Sequence, residues 1–220
     1  MNPGRTKILL ADDHAILLDA FRKILEPAYQ VVAGVTDGHA MIEAAEKFKP
    51  DIIIADISMP RLNGLDAGER IKERLPKTKL IFLTMNEDPD LAAEAMRRGA
   101  AGYVLKKSAV SELLEAIRQT LANRVYVSPA IAREPSAIFV RAARSTRRAP
   151  GLSLRQREVL QLLAEGRSMK EAADLLHVTP RTIAFHKYSM MEQLGFKTGA
   201  ELVQHAMNLG LIARKNPPRA

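Results

Sequence analysis

Five polar side chains sit where short apolar runs end, and their types suit the holding of a hard metal ion. Asp12 and Asp13 follow Ile8-Leu9-Leu10-Ala11, Asp56 follows Ile52-Ile53-Ile54-Ala55, Thr84 follows Phe82-Leu83, and Lys106 follows Val104-Leu105. Three carboxylates gathered in one pocket repel one another unless a cation joins them. Mg²⁺ is the expected ion, because it takes one or two carboxylates together with waters and phosphate oxygens. Each residue also has a plainer use on its own. Asp12 and Asp13 can cap a helix, Thr84 can be an ordinary strand-end hydroxyl, and Lys106 a surface amine. Five such residues at matching positions fit one shared site better than five separate uses.

The elements that must position them are legible in the hydrophobic pattern. Runs rich in Ile, Val and Leu predict buried strands at Lys7–Leu10, Gln30–Val35, Asp51–Ala55, Lys79–Leu83 and Gly102–Leu105. Helical spacing predicts helices at about His14–Leu25, Gly38–Phe48, Gly64–Arg74, Pro89–Arg98 and Ser111–Ala122. Five alternating units predict an α/β fold, a five-stranded parallel sheet wound with helices on both faces. Ligands of such sheets gather at the carboxyl ends of the strands, where the five polar residues lie.

Composition places a second module after the first. The chain has 220 residues, of which 47% are hydrophobic and 26% charged, and a net charge of +8. Residues 1–127 hold 18 basic and 18 acidic side chains, whereas residues 128–220 hold 15 basic and 7 acidic. The whole excess lies in one end, which points to a partner that is a polyanion. With no cysteine there is neither a disulfide framework nor a thiolate metal site. No run approaches the roughly 18 apolar residues of a membrane span, and no signal-peptide core follows the N-terminus, so a cytoplasmic location is expected. The segment 126–150, with Arg133, Arg141, Arg144, Arg147 and Arg148 against Glu134 and with Pro129, Pro135 and Pro150, reads as a linker, partly helical in its middle. Residues 151–215 carry only short helical patterns.

The order Asp-Asp, Asp, Thr, Lys over residues 5–125 resembles the receiver domain of two-component response regulators, which has a flavodoxin-like fold. The run Asp56-Ile57-Ser58-Met59-Pro60-Arg61-Leu62-Asn63-Gly64-Leu65 is especially similar, as are Leu83-Thr84 and Gly99-Ala100-Ala101-Gly102-Tyr103-Val104-Leu105-Lys106. The resemblance implies that Asp56 is the phosphoacceptor for a sensor histidine kinase. It also implies that Asp13, Asp56 and the Ser58 carbonyl ligate Mg²⁺, with Asp12 acting mainly through water. Lys106 would neutralise phosphoryl charge, Thr84 would donate to a phosphoryl oxygen, and Tyr103 would turn inward as Thr84 moves. Phosphatases with an aspartyl nucleophile place a second acid two residues on, where this chain has Ser58. Two departures from the receiver pattern stand out, Met85 after Thr84 and Lys107 after Lys106; a bulky Met85 is expected to crowd the phosphoryl site.

Residues 152–212 show a second resemblance, to the LuxR-type helix-turn-helix, an all-α unit of four helices. Leu152 to Gly166 looks like its first helix, stopped by glycine. Ser168 with Glu171 has capping-box spacing for a second helix, and Thr179 before Pro180 caps a third that runs to Leu194. A fourth covers about Gly199–Asn208. On the third helix Ile183, Met190 and Leu194 should face the core, leaving Arg181, Ala184, Phe185, Tyr188 and Glu192 outside. Two exposed aromatics imply a partner, here base edges and thymine methyls in a DNA major groove. Lys170, Arg181, Thr182 and Lys187 suit phosphate contacts, which position the helix without reading sequence. His186 should pack internally, and Ala184 is shorter than the polar residue often found there. Receiver plus LuxR-type unit, in that order, resembles the NarL/FixJ family. That resemblance implies a DNA-binding regulator that forms a homodimer when phosphorylated.

Overall fold

A computed structural model describes residues 5–132, 136–140 and 152–212, and the chain divides into two compact units between Arg148 and Ala149. The first unit alternates β1 (Lys7–Ala11), α1 (Ala15–Leu25), β2 (Gln30–Val35), α2 (Gly38–Phe48), β3 (Ile52–Asp56), α3 (Gly64–Arg74), β4 (Lys79–Thr84), α4 (Pro89–Arg97), β5 (Gly102–Leu105), a 3₁₀ turn at Lys106–Ser108, α5 (Ala109–Leu121) and β6 (Tyr126–Val127). All strand pairs are parallel, in the order β2-β1-β3-β4-β5-β6.

The sheet thus has six strands where the sequence predicts five. The sixth, two residues long, falls in the segment read as linker. It pairs Tyr126 with Gly102 and Val127 with Tyr103 along the outer edge of β5. Two residues are too few for an alternation to register as a strand signal. Most of the remaining linker, including Arg133, Glu134, Pro135, Arg141, Arg144, Arg147, Arg148 and Pro150, lies outside the described residues, as do residues 213–215 of the expected second unit. Residues 136–140 are helical, and Ile138 is buried in the first unit's core.

The strand runs are apolar throughout because both faces are covered. Leu9, Ala11, Ile53 and Ala55 face one cluster with Met41, Leu65, Ile71, Leu91 and Met96 from α2, α3 and α4. Ile8, Leu10, Ile52, Ile54 and Val104 face the other, with Phe21, Leu25, Leu113 and Ile117 from α1 and α5. Burial of this area is the dominant favourable term for the unit.

The second unit consists of α6 (Leu154–Ala164), α7 (Met169–Leu175), α8 (Pro180–Leu194) and α9 (Gly199–Asn208). Capping boxes start α6 at Ser153 with Gln156, α7 at Ser168 with Glu171, and α9 at Thr198 with Glu201. Thr179 caps α8 by accepting from the Thr182 amide, with Pro180 in the first turn and Gly195 closing the helix at φ 70°. His177, at φ 53°, makes the turn between α7 and α8. Val159, Leu160, Leu162, Ala172, Ala173, Ile183, Met190 and Leu202 form the core. Arg155 pairs with the buried Glu158 at 2.9 Å and donates to the Leu176 carbonyl at 2.9 Å, which fastens α6 to the end of α7.

Candidate functional site

Register brings the strand-end polar residues together. Ala11 pairs with Ala55 across β1 and β3, so Asp12 and Asp56 follow at one level, and Thr84 pairs with Leu105, so Lys106 follows beside it. Asp56 is the last residue of β3 rather than the first beyond it. The loop after it folds back tightly. The Gly64 amide donates to the Ile57 carbonyl, and a Cβ on Gly64 would stand 2.1 Å from the Asp56 carbonyl oxygen, so only glycine fits. The Ser58 amide donates to Asp56 Oδ1 at 3.2 Å.

Asp12, Asp56 and Lys106 form one buried charge cluster. Lys106 Nζ lies 2.8 Å from Asp56 Oδ2 and 2.7 Å from Asp12 Oδ2. Burial pushes the Asp56 carboxyl up; Lys106 pulls against that shift, and Asp12 adds to it. Burial alone would lower the Lys106 ammonium, but its two carboxylate partners hold it above the ordinary lysine value.

Asp13 is not drawn into that cluster. It sits partly exposed against His14, whose Nδ1 lies 2.7 Å from Asp13 Oδ1 and 3.2 Å from Asp12 Oδ1. The helix-capping use of Asp12 and Asp13 is not what forms, since His14 is the N-cap of α1 and makes no side-chain cap. Asp12 Oδ1 accepts the His14 amide at 3.0 Å instead. His14 is a member of the site that residue-by-residue reading missed. Its position next to the acid pair was the only signal for it.

The donors are hard carboxylate oxygens, and Asp12 Oδ2 is buried in contact with Lys106 yet receives no well-aligned hydrogen bond. A buried carboxylate oxygen whose one partner is the Lys106 ammonium, with the Asp56 carboxylate on the same ammonium, fits a divalent cation such as Mg²⁺. Asp12, Asp13 and His14 also bring three ligand atoms within 4.8 Å of one another.

Thr84 and Tyr103 meet at one peptide. Thr84 Oγ1 accepts from the Asn86 amide at 3.0 Å, and the Tyr103 hydroxyl donates to the Asn86 carbonyl at 3.1 Å. Tyr103 is fully buried, and that burial pushes its phenol upward. Met85, between Thr84 and Asn86, is 72% exposed.

On α8 the faces divide as the periodicity predicts. Ile183 and Met190 are buried, Leu194 is half-buried, and Arg181 and Glu192 are exposed. Phe185 and Tyr188 are 68% and 59% exposed, so neither packs in the core. His186 stands edge-on to Phe185 at 5.7 Å, and the Lys187 ammonium lies 5.6 Å from the Tyr188 ring centre. Ala184 and Lys187 are half-buried, and Lys170 is exposed near the start of α7. The Thr182 hydroxyl is already paired with that of Thr179 at 3.0 Å.

A doubly wound parallel sheet with an acid–lysine cluster at its carboxyl edge, followed by a four-helix unit with an aromatic-bearing third helix, defines a receiver joined to a helix-turn-helix. Residues 8–118 match the response regulator receiver domain, and residues 150–206 match the luxR family of bacterial regulatory proteins. The chain is 36% identical to the oxygen regulatory protein NreC of Staphylococcus aureus, over 94% of its own length and 99% of that protein's. Among solved structures it resembles the RcsB response regulator of Salmonella typhimurium at 30% identity and a TM-score of 0.65, covering 94% of this chain and 98% of that one. It also resembles RcsB in a complex with DNA, at 28% identity and a TM-score of 0.58, covering 94% and 100%. The chain belongs to the NarL/FixJ family of response regulators and is a DNA-binding regulator of transcription. No helix among the described residues is long and apolar enough to cross a membrane.

Proposed function

We propose that Asp56 of a receiver spanning residues 5–125 accepts a phosphoryl group from the phosphohistidine of a sensor kinase, and so controls DNA binding by a unit spanning 151–215. The observation that carries this reading is the cluster in which Lys106 Nζ lies 2.8 Å from Asp56 and 2.7 Å from Asp12. An Asp56 carboxylate oxygen attacks phosphorus, the phosphorus–nitrogen bond breaks, and its electron pair leaves on the imidazole of the donor. The Lys106 ammonium faces the incoming negative charge, and the Ser58 amide steadies the Asp56 carboxylate. Asp13, Asp56 and the Ser58 carbonyl would hold Mg²⁺, with Asp12 acting through water; when bound, the ion neutralises phosphoryl oxygens. The chain's chemistry is limited to its own phosphorylation and dephosphorylation, without turnover of an external substrate.

Thr84 and Tyr103 read the modification. A phosphoryl oxygen competes with the Asn86 amide for Thr84, and any movement of the Asn86 peptide is passed to the Tyr103 hydroxyl on its carbonyl. The output is a homodimer that places two copies of α8 on double-stranded DNA in the cytoplasm. Phe185, Tyr188 and Ala184 would meet base edges, while Lys170, Thr179, Arg181, Thr182 and Lys187 would meet phosphates. The RcsB relative was solved in a complex with DNA, which supports this placement by analogy.

The test is chemical. Acetyl phosphate with Mg²⁺ should add one acid-stable, hydroxylamine-labile phosphoryl group to the wild-type chain and none to Asp56→Asn. Equal labelling of the two would refute the assignment of Asp56.

A further inference from the structure

Strand β5 delivers Lys106 to the site, yet its outer edge is covered by only the two residues of β6. The strand register ends with Val127 opposite Tyr103. The amide of Leu105, the residue before Lys106, donates instead to the Ser128 hydroxyl at 2.9 Å. Ser128 is completely buried, and its hydroxyl donates in turn to Glu112 Oε2 on α5. One side-chain oxygen therefore satisfies a buried amide and also meets a carboxylate.

The backbone of Ser128 is equally engaged. Its amide donates to the Tyr103 carbonyl at 2.9 Å, and its own carbonyl accepts from Ile131 at 2.8 Å and from Ala132 at 3.4 Å. On one side Ser128 grips the Tyr103–Leu105 segment; on the other it starts the turn by which the chain leaves the sheet. The Tyr126 hydroxyl has its pKa pushed up to about 12 by burial and by the charge of the same Glu112 carboxylate. None of these residues belongs to the acid–lysine cluster, and the receiver match ends at residue 118, before β6 begins.

We propose that Ser128, oriented by Glu112, is a positioning residue for Lys106, fixing the end of β5 so that the ammonium is aimed at Asp56, and tying that alignment to the turn by which the chain leaves β6. The proposal rests on the reading of Asp56 and Lys106 as the phosphoryl site. Alanine at 128 would leave the buried Leu105 amide and the Glu112 carboxylate without this partner, and the strand end would be free to shift. Glutamine at 112 keeps an acceptor oxygen for the Ser128 hydroxyl, whereas alanine removes it.

Beryllium fluoride, a mimic of the phosphoryl group, can be titrated calorimetrically into the full-length protein with saturating Mg²⁺. Ser128→Ala and Glu112→Ala should each bind it about tenfold more weakly than wild type, and Glu112→Gln within about twofold. In a Lys106→Ala background, Ser128→Ala should cost nothing further, because its effect runs through the ammonium. An equal loss from Ser128→Ala in both backgrounds, or Glu112→Ala binding as wild type does, would overturn the proposal. Should Ser128→Ala not fold, the Glu112 pair decides alone: alanine weak with glutamine normal supports it, and both normal or both weak refutes it. Failure of wild type to bind, or equal binding by Asp56→Asn, removes the phosphoryl-site reading and this proposal with it. Normal wild-type binding with unaltered variants removes only this proposal.

Discussion

Asp56 is a carboxylate that folding makes harder to ionise, and that has a consequence for stability. Its pKa in the folded chain lies above the ordinary value of 3.8, because burial outweighs the help of Lys106. The folded state therefore holds its proton more tightly than the unfolded state, so stability falls as pH rises from below that ordinary value through the raised one. At neutral pH the ionised group is a net cost, and Asp56→Asn, which leaves Lys106 its Asp12 partner, should stabilise the protein. Urea unfolding at pH 7 checks this, and the gain should shrink as the pH approaches 4; an Asp56→Asn variant less stable than wild type at pH 7 would contradict it. Phe185 makes the opposite case. At 68% exposed it does little for folding. Phe185→Ala should therefore leave the unfolding free energy within about 0.5 kcal/mol while weakening operator binding about tenfold, measured by fluorescence anisotropy.

The elements show which parts of the molecule a one-dimensional reading can reach. The bounds of β2, β5, α2, α3, α8 and α9 coincide with those expected from apolar runs, caps and glycine stops, since each is encoded within its own stretch of chain. Ser168 with Glu171, and Thr179 with Pro180, form the caps that their spacing announced. What was hidden depends on partners distant in sequence. The β6 strand is two residues made regular by β5, the turn at Lys106–Ser108 moves the start of α5 back to Ala109, and His14 joins the site only because β1 ends where it does. The acid–lysine cluster was legible through strand ends and register, but not the separation of Asp13 from it. Two substitutions probe elements directly. Thr179→Ala removes the cap of α8 and should cost the second unit about 1 kcal/mol, read as a lower melting midpoint. Gly64→Ala forces a Cβ against the Asp56 carbonyl and should cost roughly 2 kcal/mol or more. An unchanged midpoint for Gly64→Ala would mean that the loop after Asp56 is not held as tightly as its contacts imply.

For the molecule as a whole, charge separates a neutral first segment from a basic remainder that suits a polyanion. The segment 1–127 is neutral and the entire +8 lies in residues 128–220; residues 128–148 hold five basic side chains against one acid, and the second unit holds ten against six, so attraction to DNA belongs to the second unit together with the basic segment before it. Affinity for an operator should fall steeply with salt, and Arg181→Ala should reduce the slope of log K against log salt by about 1 if that side chain meets a phosphate. An unchanged slope would remove Arg181 from the phosphate contacts. Control of assembly and DNA binding by a phosphoryl group on Asp56 can be measured directly. Full-length wild type and Asp56→Asn are each treated with beryllium fluoride and Mg²⁺, and both molecular mass in solution and operator affinity are recorded. Wild type should shift from a smaller species to a dimer and bind DNA at least about tenfold more tightly, with Asp56→Asn changing in neither respect. Wild type that changes neither its mass nor its affinity would show that Asp56 does not control either.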